Sequence, residues 1–587
     1  MVERMASTIC SPEGTHFEVW APSRRSVAVR LGGDSHLLQP KGEGWWGADV
    51  SGAGPGQDYQ FILDGDLVRP DPYSRFQPEG VHGPSRIVDP SAYPWDDANW
   101  QGIAKTDLII YEIHVGTFSP EGTYAGAVER LDHILELGAT AVELMPLAQA
   151  PGRWNWGYDG VNLFAPNHHY GTPDDLRHFI DLCHRRGLAV ILDVVYNHLG
   201  PEGNYLWDFG PYFSKHHNTP WGPALNFDGP SNGPVRWLIV ENAISWLEEY
   251  HFDGLRLDAI RLMQDDSAVH ITQEIAEAVH AFSATRRYPV HLIAESNVYD
   301  PVLLDPAKGT GTYDLLWNDE IPHALFSATL GQHRIDSREY RGLRDVAQAL
   351  DTGFVFERHL HGTEIVRVTE PSRAELTMMM QGLQTHDQVG NHPEGRRLHQ
   401  VASPELQRTG AALVLLYPAV PMFFMGEEFA APSPFCFFVD FGDAHLREAV
   451  VAGRKRDYHQ HDWDSFVSPL EENTFLGSKL CDVKAGDAGM LDWYRSLIAL
   501  RKAWKASGIL CTAGLVVSGD PSTGVFSLSY RGGDYQVRVN LGPSPVDLPI
   551  GEPVLFHSSW RRFGGAMPDD EQETILPPFS AVVISRS

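Results

Sequence analysis

The chain has 587 residues, of which 43% are hydrophobic and 21% charged, a size and composition that indicate a globular protein with two or three folding units. Its 76 acidic residues outnumber its 46 basic residues and give a net charge of −30. Because this charge repels phosphate backbones and anionic lipid headgroups, the composition disfavours binding to nucleic acids or membrane surfaces.

The cysteines and the apolar runs bear on the cellular compartment. The five cysteines are scattered without a CxxC pair, which predicts free thiols rather than disulfides or a zinc ribbon. Residues 1–20 lack the basic and apolar regions of a signal peptide. The longest uncharged stretch, 409–426, contains Pro418 and Pro421 and predicts a buried helix followed by a buried strand. We expect a cytoplasmic protein without an obligate protein partner.

Residues 1–100 are predicted to form a β-sandwich. Apolar residues alternate around Phe17 and Val19 and again around Val27 and Val29. A third alternating run passes through an Asp64-Gly65 pair, which is a strong hairpin signal.

Residues 101–507 alternate short apolar runs with amphipathic segments, a pattern typical of a parallel α/β fold. We predict helices over 125–137, over a segment capped by Thr172, over a long segment ending near Tyr250, and over 270–282, with an excursion at 199–234. Eight such units favour a closed (β/α)8 barrel over an open doubly wound sheet, since no Gly-rich loop follows the first strand. The strand candidates are DLIIYEI, TAVELMP, LAVILDVV, GLRLDA, VHLIAES, YDLLWND, MMQGLQTHD and VPMFFMGEE.

Residues 508–587 return to strand patterns and predict a second β-sandwich. A hairpin is centred on Gly532-Gly533, and the final SAVVIS segment is interpreted as an edge strand. The predicted fold class is therefore α/β, a (β/α)8 barrel between an N-terminal and a C-terminal β-sandwich.

Four carboxylates follow predicted barrel strands directly: Asp193, Asp258, Glu295 and Asp387. Catalytic side chains of this fold project from the carboxyl ends of the strands, and a lone charge after an apolar run is costly to bury. Any one of these residues could simply cap the following helix. Four in one barrel indicate a site.

Arg256 lies two residues before Asp258, so on a strand both side chains point to the same face. A guanidinium at that distance lowers the pKa of the carboxyl, which suits a nucleophile and is also compatible with a structural ion pair. Glycosidic cleavage needs such an anion and a proton donor, and Glu295 with a raised pKa would be that donor. Asp387 is expected to hydrogen-bond the sugar hydroxyls, as are two neighbouring histidines: His198 and His386.

The segments DVVYNH, GLRLDA, IAES and THDQ resemble, in order, the four signature regions of the alpha-amylase superfamily. The resemblance implies a retaining double displacement with Asp258 as nucleophile, Glu295 as acid/base and Asp387 as transition-state stabiliser. It also implies a carbohydrate-binding-type β-sandwich before the barrel and another after it.

Longer segments, such as WNWGYDGVNLFAPNHHYG and HDQVGNHPEGRRL, resemble one branch of this superfamily. Members of that branch hydrolyse the α-1,4 bond next to the terminal trehalose of maltooligosyltrehalose, so the implied partner is an α-glucan. Two residues depart from the usual pattern, Thr385 in place of Asn and Asn297 in place of Asp. The predicted substrate-binding residues are Tyr158, Asp193, His198, Arg256, Asn318, Asp319, His386, Gln388 and Asn391.

Other interpretations remain open at this stage. A glycogen branching enzyme would use the same carboxylates for transfer, and a glucan-binding protein with an inactive barrel is disfavoured because the three carboxylates of the resemblance are all present. The histidine pair His459/His461 beside Asp462 lacks HExxH spacing, so we expect no catalytic metal and no cofactor. The turn-rich segment 151–160 is predicted to present a sugar-stacking wall of Trp154, Trp156 and Tyr158.

Overall fold

The computed structural model describes residues 8–11, 13–304, 313–335, 338–358, 364–458, 463, 466–547, 553–569 and 575–586. Eight parallel strands in the middle of the chain close into a barrel, as the sequence predicts. We label them β1 to β8: β1 Ile110–Ile113, β2 Ala141–Leu144, β3 Ala189–Val194, β4 Gly254–Leu257, β5 His291–Glu295, β6 Leu315–Trp317, β7 Met379–Gly382 and β8 Val420–Phe424.

The barrel strands are short, and nearly every residue in them is buried on both faces, which is typical of parallel sheets covered by helices. Below the rim, inward-pointing side chains fill the barrel so that it is a packed core rather than a channel. These side chains include Ile110, Ala141, Ile191, Ile293, Leu315, Met380 and Met422.

Helices surround the barrel and interrupt its loops. The helix Pro173–Arg185 begins with the predicted capping box, in which Thr172 and Asp175 each accept a backbone N–H of the other. The other α-helices are Val115–Phe118, Tyr124–Val128, Leu131–Leu137, Leu206–Phe209, Gly233–Glu249, Ile271–Ser283, Pro301–Leu304, Glu320–Leu330, Leu343–Thr352, His386–Gly390, Leu398–Val401, Pro404–Leu415, Ala444–Asp457, Glu472–Gly477 and Ala488–Ala506.

The described parts of the barrel loops contain four short antiparallel pairs. The largest is the hairpin of Phe213–Thr219 and Gly222–Leu225, which occupies the predicted excursion. The other pairs are Ala148–Gln149 with Asn162–Pro166, Arg334–Ile335 with Arg338–Glu339, and Phe356–Arg358 with Ile365–Arg367.

Antiparallel sheets flank the barrel on both sides in the chain, as predicted. The N-terminal hairpin turns through residues 64–66, and both residues of the predicted Asp64-Gly65 pair have positive φ angles. The N-terminal strands are Ile9–Ser11, Gly14–Trp20, Trp45–Ser51 and Gln39–Gly42 in one sheet, and Asp34–Leu37, Val27–Leu31, Asp58–Leu63 and Leu67–Arg69 in the other, with Ser85–Arg86 paired to Asp58–Leu63.

The C-terminal region corrects one prediction. Its final strand, Ser580–Ser585, is not an edge strand, because it pairs with Tyr535–Asn540 on one side and with Val554–His557 on the other. All six of its residues are buried. The sheet runs in the order Val516–Asp520, Val525–Tyr530, Tyr535–Asn540, Ser580–Ser585 and Val554–His557, beside the pair Val546–Asp547 and Ile575–Leu576.

A second correction concerns the predicted helix over 125–137, which is two helices, Tyr124–Val128 and Leu131–Leu137. At the break, the guanidinium of Arg130 donates to the carbonyl oxygens of Leu480 and Cys481 at 3.2 and 3.3 Å. This contact with a distant part of the chain overrides the helical periodicity of the segment. Among the described residues, no helix combines the length and the apolar character that crossing a membrane requires.

Candidate active site

Three of the four predicted carboxylates lie at one rim of the barrel, at the ends of adjacent strands. The β4–β5 ladder pairs Leu257 with Ala294, so Asp258 and Glu295 occupy the next in-register positions. The backbone N–H of Asp258 still donates to the carbonyl of Val194 at 3.0 Å, which fixes its position relative to β3.

Arg256 joins two of these carboxylates. Its Nη1 donates to both oxygens of Asp193, at 2.9 and 2.8 Å, and to Oδ1 of Asp258 at 2.8 Å. The guanidinium is 1% exposed and lies 4.4 Å from the centre of the Trp317 ring. Burial raises the pKa of Asp193 to about 6, although Arg256 opposes this rise. The predicted contact between Arg256 and Asp258 is confirmed.

The second oxygen of Asp258 is held from another direction. The side-chain amide of Asn197 donates to Oδ2 and to the backbone carbonyl of Asp258, each at 2.8 Å. Both carboxylate oxygens therefore have a fixed partner, and the side chain is held in one orientation before any substrate binds.

Glu295 is positioned by the turn after β4. Its Oε2 accepts the backbone N–H of Ala259 at 2.6 Å. Ala259 has a φ of 39°, in the left-handed region that residues with side chains rarely adopt, and such strain is typical of functional sites. Burial raises the pKa of Glu295 to about 8, with Arg256 opposing and Asp258 adding to the rise. A raised pKa is what a general acid needs, and the role of Glu295 as that acid stays a prediction.

Asp387 comes from β7 through the short helix His386–Gly390. Its side chain is 51% exposed, and Oδ1 accepts a hydrogen bond from the amide of Asn391 at 3.2 Å. Thr385 caps this helix, and its backbone N–H donates to the side-chain oxygen of Gln388 at 2.7 Å. The carboxylate of Asp387 is thus presented to the cleft from a rigid helix end.

Five of the predicted residues line one cleft with a volume of about 170 Å³: Glu295, Asp319, Asp387, Gln388 and Asn391. The lining also includes four apolar side chains: Phe326, Leu330, Ile335 and Leu398. Asp319 is held by the indole N–H of Trp317, which donates to Oδ1 at 3.0 Å. A cleft with convergent carboxylates and apolar side chains suits an amphipathic ligand such as a sugar.

Tyr158 and His386 support the carboxylates from the side. The hydroxyl of Tyr158 donates to Oδ2 of Asp193 at 2.7 Å and lies 2.8 Å from Nε2 of His386. The two rings stack at 5.4 Å. His198 is buried, and its Nδ1 contacts the side-chain oxygen of Asn197, which in turn holds Asp258.

Two features differ from the predicted arrangement. Asn318 is fully buried, and its side-chain oxygen accepts the N–H of Glu320 at 2.8 Å, so a direct contact with substrate stays a prediction that its burial does not favour. The predicted stacking wall is wrong for Trp156, which is 3% exposed and packs on Phe435 at 5.2 Å. Trp154 is half-buried and stacks on Phe475, so its part of the wall stays a prediction. Interior packing on Phe435 covers the Trp156 ring, which the turn-rich sequence suggested was exposed.

Three other residues near the rim were not identified from the sequence. Trp221, at the tip of the excursion hairpin, is 52% exposed, and its ring lies 4.8 Å from that of His198. An exposed Trp in a Gly/Pro-rich loop is the signal that could have indicated it. Glu112 on β1 and Glu143 on β2 are buried inside the barrel, and their signal was a carboxylate within an otherwise apolar strand.

The described residues bring one set of potential metal ligands together: His217, Asp228 and Asp266, with ligand atoms within 4.8 Å of one another. A hydrogen bond of 2.7 Å between His217 Nε2 and Asp228 already accounts for the closest pair. The pair His459/His461 and Asp462 lie outside the described residues. The absence of a catalytic metal therefore stays a prediction.

A closed parallel barrel whose rim presents a fixed carboxylate next to a buried one with a raised pKa is the arrangement of a glycoside hydrolase of the alpha-amylase type. The family model for the alpha amylase catalytic domain matches residues 84–219. The chain is also 39% identical to the malto-oligosyltrehalose trehalohydrolase of Saccharolobus solfataricus, over 93% of this chain and 94% of that one. The chain therefore belongs to the malto-oligosyltrehalose trehalohydrolase family.

Two further comparisons set the range of the similarity. The crystal structure of a Salmonella typhimurium protein proposed to be an alpha amylase superimposes with a TM-score of 0.88 at 34% identity, covering 100% of both chains. The 1,4-alpha-glucan branching enzyme of Bacillus caldolyticus is 34% identical but covers only 52% of this chain and 51% of its own. The similarity to the trehalohydrolase thus extends over almost the whole molecule, and the similarity to the branching enzyme does not.

Proposed function

We propose that this enzyme hydrolyses the α-1,4-glucosidic bond next to the terminal trehalose of maltooligosyltrehalose and releases trehalose. The substrate follows from the near full-length similarity to a relative of that name. The chemistry is supported by one observation above all. Arg256 and Asn197 hold both oxygens of Asp258, while Glu295 on the adjacent strand has a raised pKa.

In the first step, Glu295 gives its proton to the glycosidic oxygen as Asp258 attacks the anomeric carbon. The bond to trehalose breaks, trehalose leaves as an alcohol, and a glycosyl ester forms on Asp258. Because Oε2 of Glu295 accepts the Ala259 N–H, Oε1 is the oxygen suited to carry the transferred proton. Asp387 hydrogen-bonds the sugar hydroxyls as the ring flattens.

In the second step, the Glu295 carboxylate takes a proton from water, and the water oxygen attacks the anomeric carbon. The ester bond to Asp258 breaks and the anomeric configuration is retained after two inversions. Adjacent parallel strands lie about 4.8 Å apart, so in-register side chains on β4 and β5 fit the separation of about 5–5.5 Å that retention needs, rather than the 6.5 Å or more of inverting enzymes.

The experiment incubates purified protein with maltooligosyltrehalose and quantifies free trehalose by anion-exchange chromatography, with maltoheptaose as the comparison substrate. We expect trehalose to be released rapidly and maltoheptaose to be cut slowly. New α-1,6 branches from amylose without trehalose would instead favour a transferase. No reaction with any α-glucan would favour a binding protein. An Asp258→Ala preparation controls for contaminating hydrolases.

A further inference from the structure

Glu112 on β1 contacts His386 at two points, and β1 and the strand that precedes His386, β7, lie on either side of β8 in the barrel. Its Oε2 accepts the backbone N–H of His386 at 3.2 Å, and its Oε1 contacts the ring Nδ1. Both side chains are 1% exposed. Strand β1 thereby holds the first residue of the helix that presents Asp387, although the two partners are 274 residues apart in the chain.

The hydrogen-bond partners of His386 indicate which of its ring nitrogens are protonated. The hydroxyl of Tyr158 has one proton, which it donates to Asp193, so it must accept the hydrogen bond from Nε2 of His386. Asp193 is an acceptor because Arg256 donates to both of its oxygens. Since Nδ1 faces the carboxylate of Glu112, both ring nitrogens are donors and the ring is an imidazolium.

The charges around His386 agree with this assignment. Burial lowers its pKa, but Glu112 and then Asp387 outweigh burial and raise the pKa to about 9, with Arg256 opposing. Glu143 does not act as a second counter-ion for His386. Burial first and Glu112 second raise the pKa of Glu143 well above its usual range, which favours its neutral form. The titratable groups that face His386 are Glu112, His114, Glu143, Tyr158, Arg256 and Asp387.

We propose that Glu112 is a positioning residue that keeps His386 doubly protonated and directed at Tyr158. His386 then holds the hydroxyl of Tyr158 on Asp193, which leaves Arg256 oriented toward Asp258. The series runs Glu112, His386, Tyr158, Asp193, Arg256, Asp258, and each link is a contact in the structure. This inference rests on the proposed function in that it takes Asp258 as the nucleophile.

The test replaces Glu112 with Gln, which keeps its shape and removes its charge. Without the carboxylate, the pKa of His386 falls toward its ordinary value of about 6.5. The ring then loses a proton, and Nε2 stops donating to Tyr158. We expect the alkaline limb of the kcat/KM profile to move from about pH 8 by at least about one pH unit toward acid. Glu112→Asp retains the charge, so it should restore the limb even if its shorter side chain lowers the rate.

Glu143→Gln is the matched control. Glu143 is the register partner of Glu112 on β2 and is equally buried, but no described residue donates a hydrogen bond to either of its carboxyl oxygens. Because burial raises the pKa of Glu143 well above its usual range, the amide should leave the charge at this position unchanged and the alkaline limb in place. If the Glu112→Gln limb coincides with those of the wild type and of Glu143→Gln, the proposal is wrong.

A measurement on the wild-type enzyme avoids dependence on the folding of the variant. The ring nitrogens of His386, labelled with ¹⁵N and assigned with His386→Gln, should both be protonated near pH 7.5. A neutral ring would overturn the proposal. The pH profiles can be recorded on any α-glucan that the enzyme cleaves, so absence of trehalose release would reject the proposed substrate while leaving this test intact.

Discussion

Carboxylates are buried around a cation at both ends of the barrel. The two ends differ in how completely these charged groups are paired and hydrogen-bonded. At the base, His184 bridges two acids, with Nδ1 3.0 Å from Asp97 and Nε2 2.9 Å from Asp253. Asp253 also accepts the indole N–H of Trp100 at 2.6 Å and the backbone N–H of Val190 at 2.8 Å. Each charge in this cluster is thus paired and hydrogen-bonded.

The hydrogen-bonding groups at the rim are less completely satisfied than those at the base. The Nε of Arg256 has no hydrogen-bond partner within the described part of the chain, Ala259 adopts a strained backbone conformation, and Glu295 has a raised pKa. Each of these features costs stability and each is useful for chemistry. We infer that the base of this barrel serves folding and the rim serves catalysis, and the following variants separate the two roles.

The largest effect is expected at the rim. Asp258→Ala and Glu295→Gln should each lower turnover by at least ~10³-fold, because one removes the nucleophile and the other the transferable proton. Their melting temperatures should stay close to or exceed that of the wild type, because residues that serve catalysis are commonly not optimised for stability. Steady-state kinetics and calorimetry measure both quantities. Losses under tenfold for both variants would mean that other residues carry the reaction.

The opposite result is expected at the base. His184→Ala leaves Asp97 and Asp253 buried without their shared partner and should lower the free energy of unfolding by about 3 kcal/mol or more. Turnover of the folded protein should change little, because the rim is at the other end of the strands. Chemical denaturation measures the first quantity.

His178→Ala controls for this prediction, since His178 lies exposed on the same helix. We expect its unfolding free energy to stay close to that of the wild type. If the two histidine variants are equally stable, or if His184→Ala loses activity while still folded, the division between base and rim does not hold.

A smaller and separable effect is expected with pH. Glu295 must be protonated to act, so turnover should fall about tenfold per pH unit above its pKa of about 8. Burial lowers the pKa of His184, but Asp253 and Asp97 outweigh burial and raise it to about 9. A raised pKa means that the stabilisation is complete below the unfolded value of about 6.5 and is lost as pH rises through about 9.

The two pH dependences should respond to different variants. His184→Ala should flatten the alkaline loss of stability, measured as melting temperature against pH, and leave the activity limb near pH 8 unchanged. A shift of the activity limb in this variant would show that the two clusters are coupled.

The barrel and its carboxylates could be predicted because both depend on local pattern. Each strand is a short and mostly apolar run, and Asp193, Asp258 and Glu295 each lie where such a run ends. In a closed barrel those ends meet at one rim, so position in the chain was enough to predict position in space.

The rest depends on contacts that the local sequence does not contain. Glu112 was missed because its partner, His386, is 274 residues away. Trp156 was misjudged because the aromatic residue that covers it, Phe435, belongs to the loop after β8. The final strand was taken for an edge because its outer neighbour, Val554–His557, was not recognised as a strand.

The central claim is that Asp258 forms the covalent bond to the sugar, and trapping that intermediate tests it most directly. A glycosyl fluoride needs no acid to release fluoride, so Glu295→Gln should be glycosylated by it but lack the base that activates water for hydrolysis. Peptide mass spectrometry should then find the sugar on Asp258. A sugar attached to a different residue, or inverted product released without any adduct, would contradict the account.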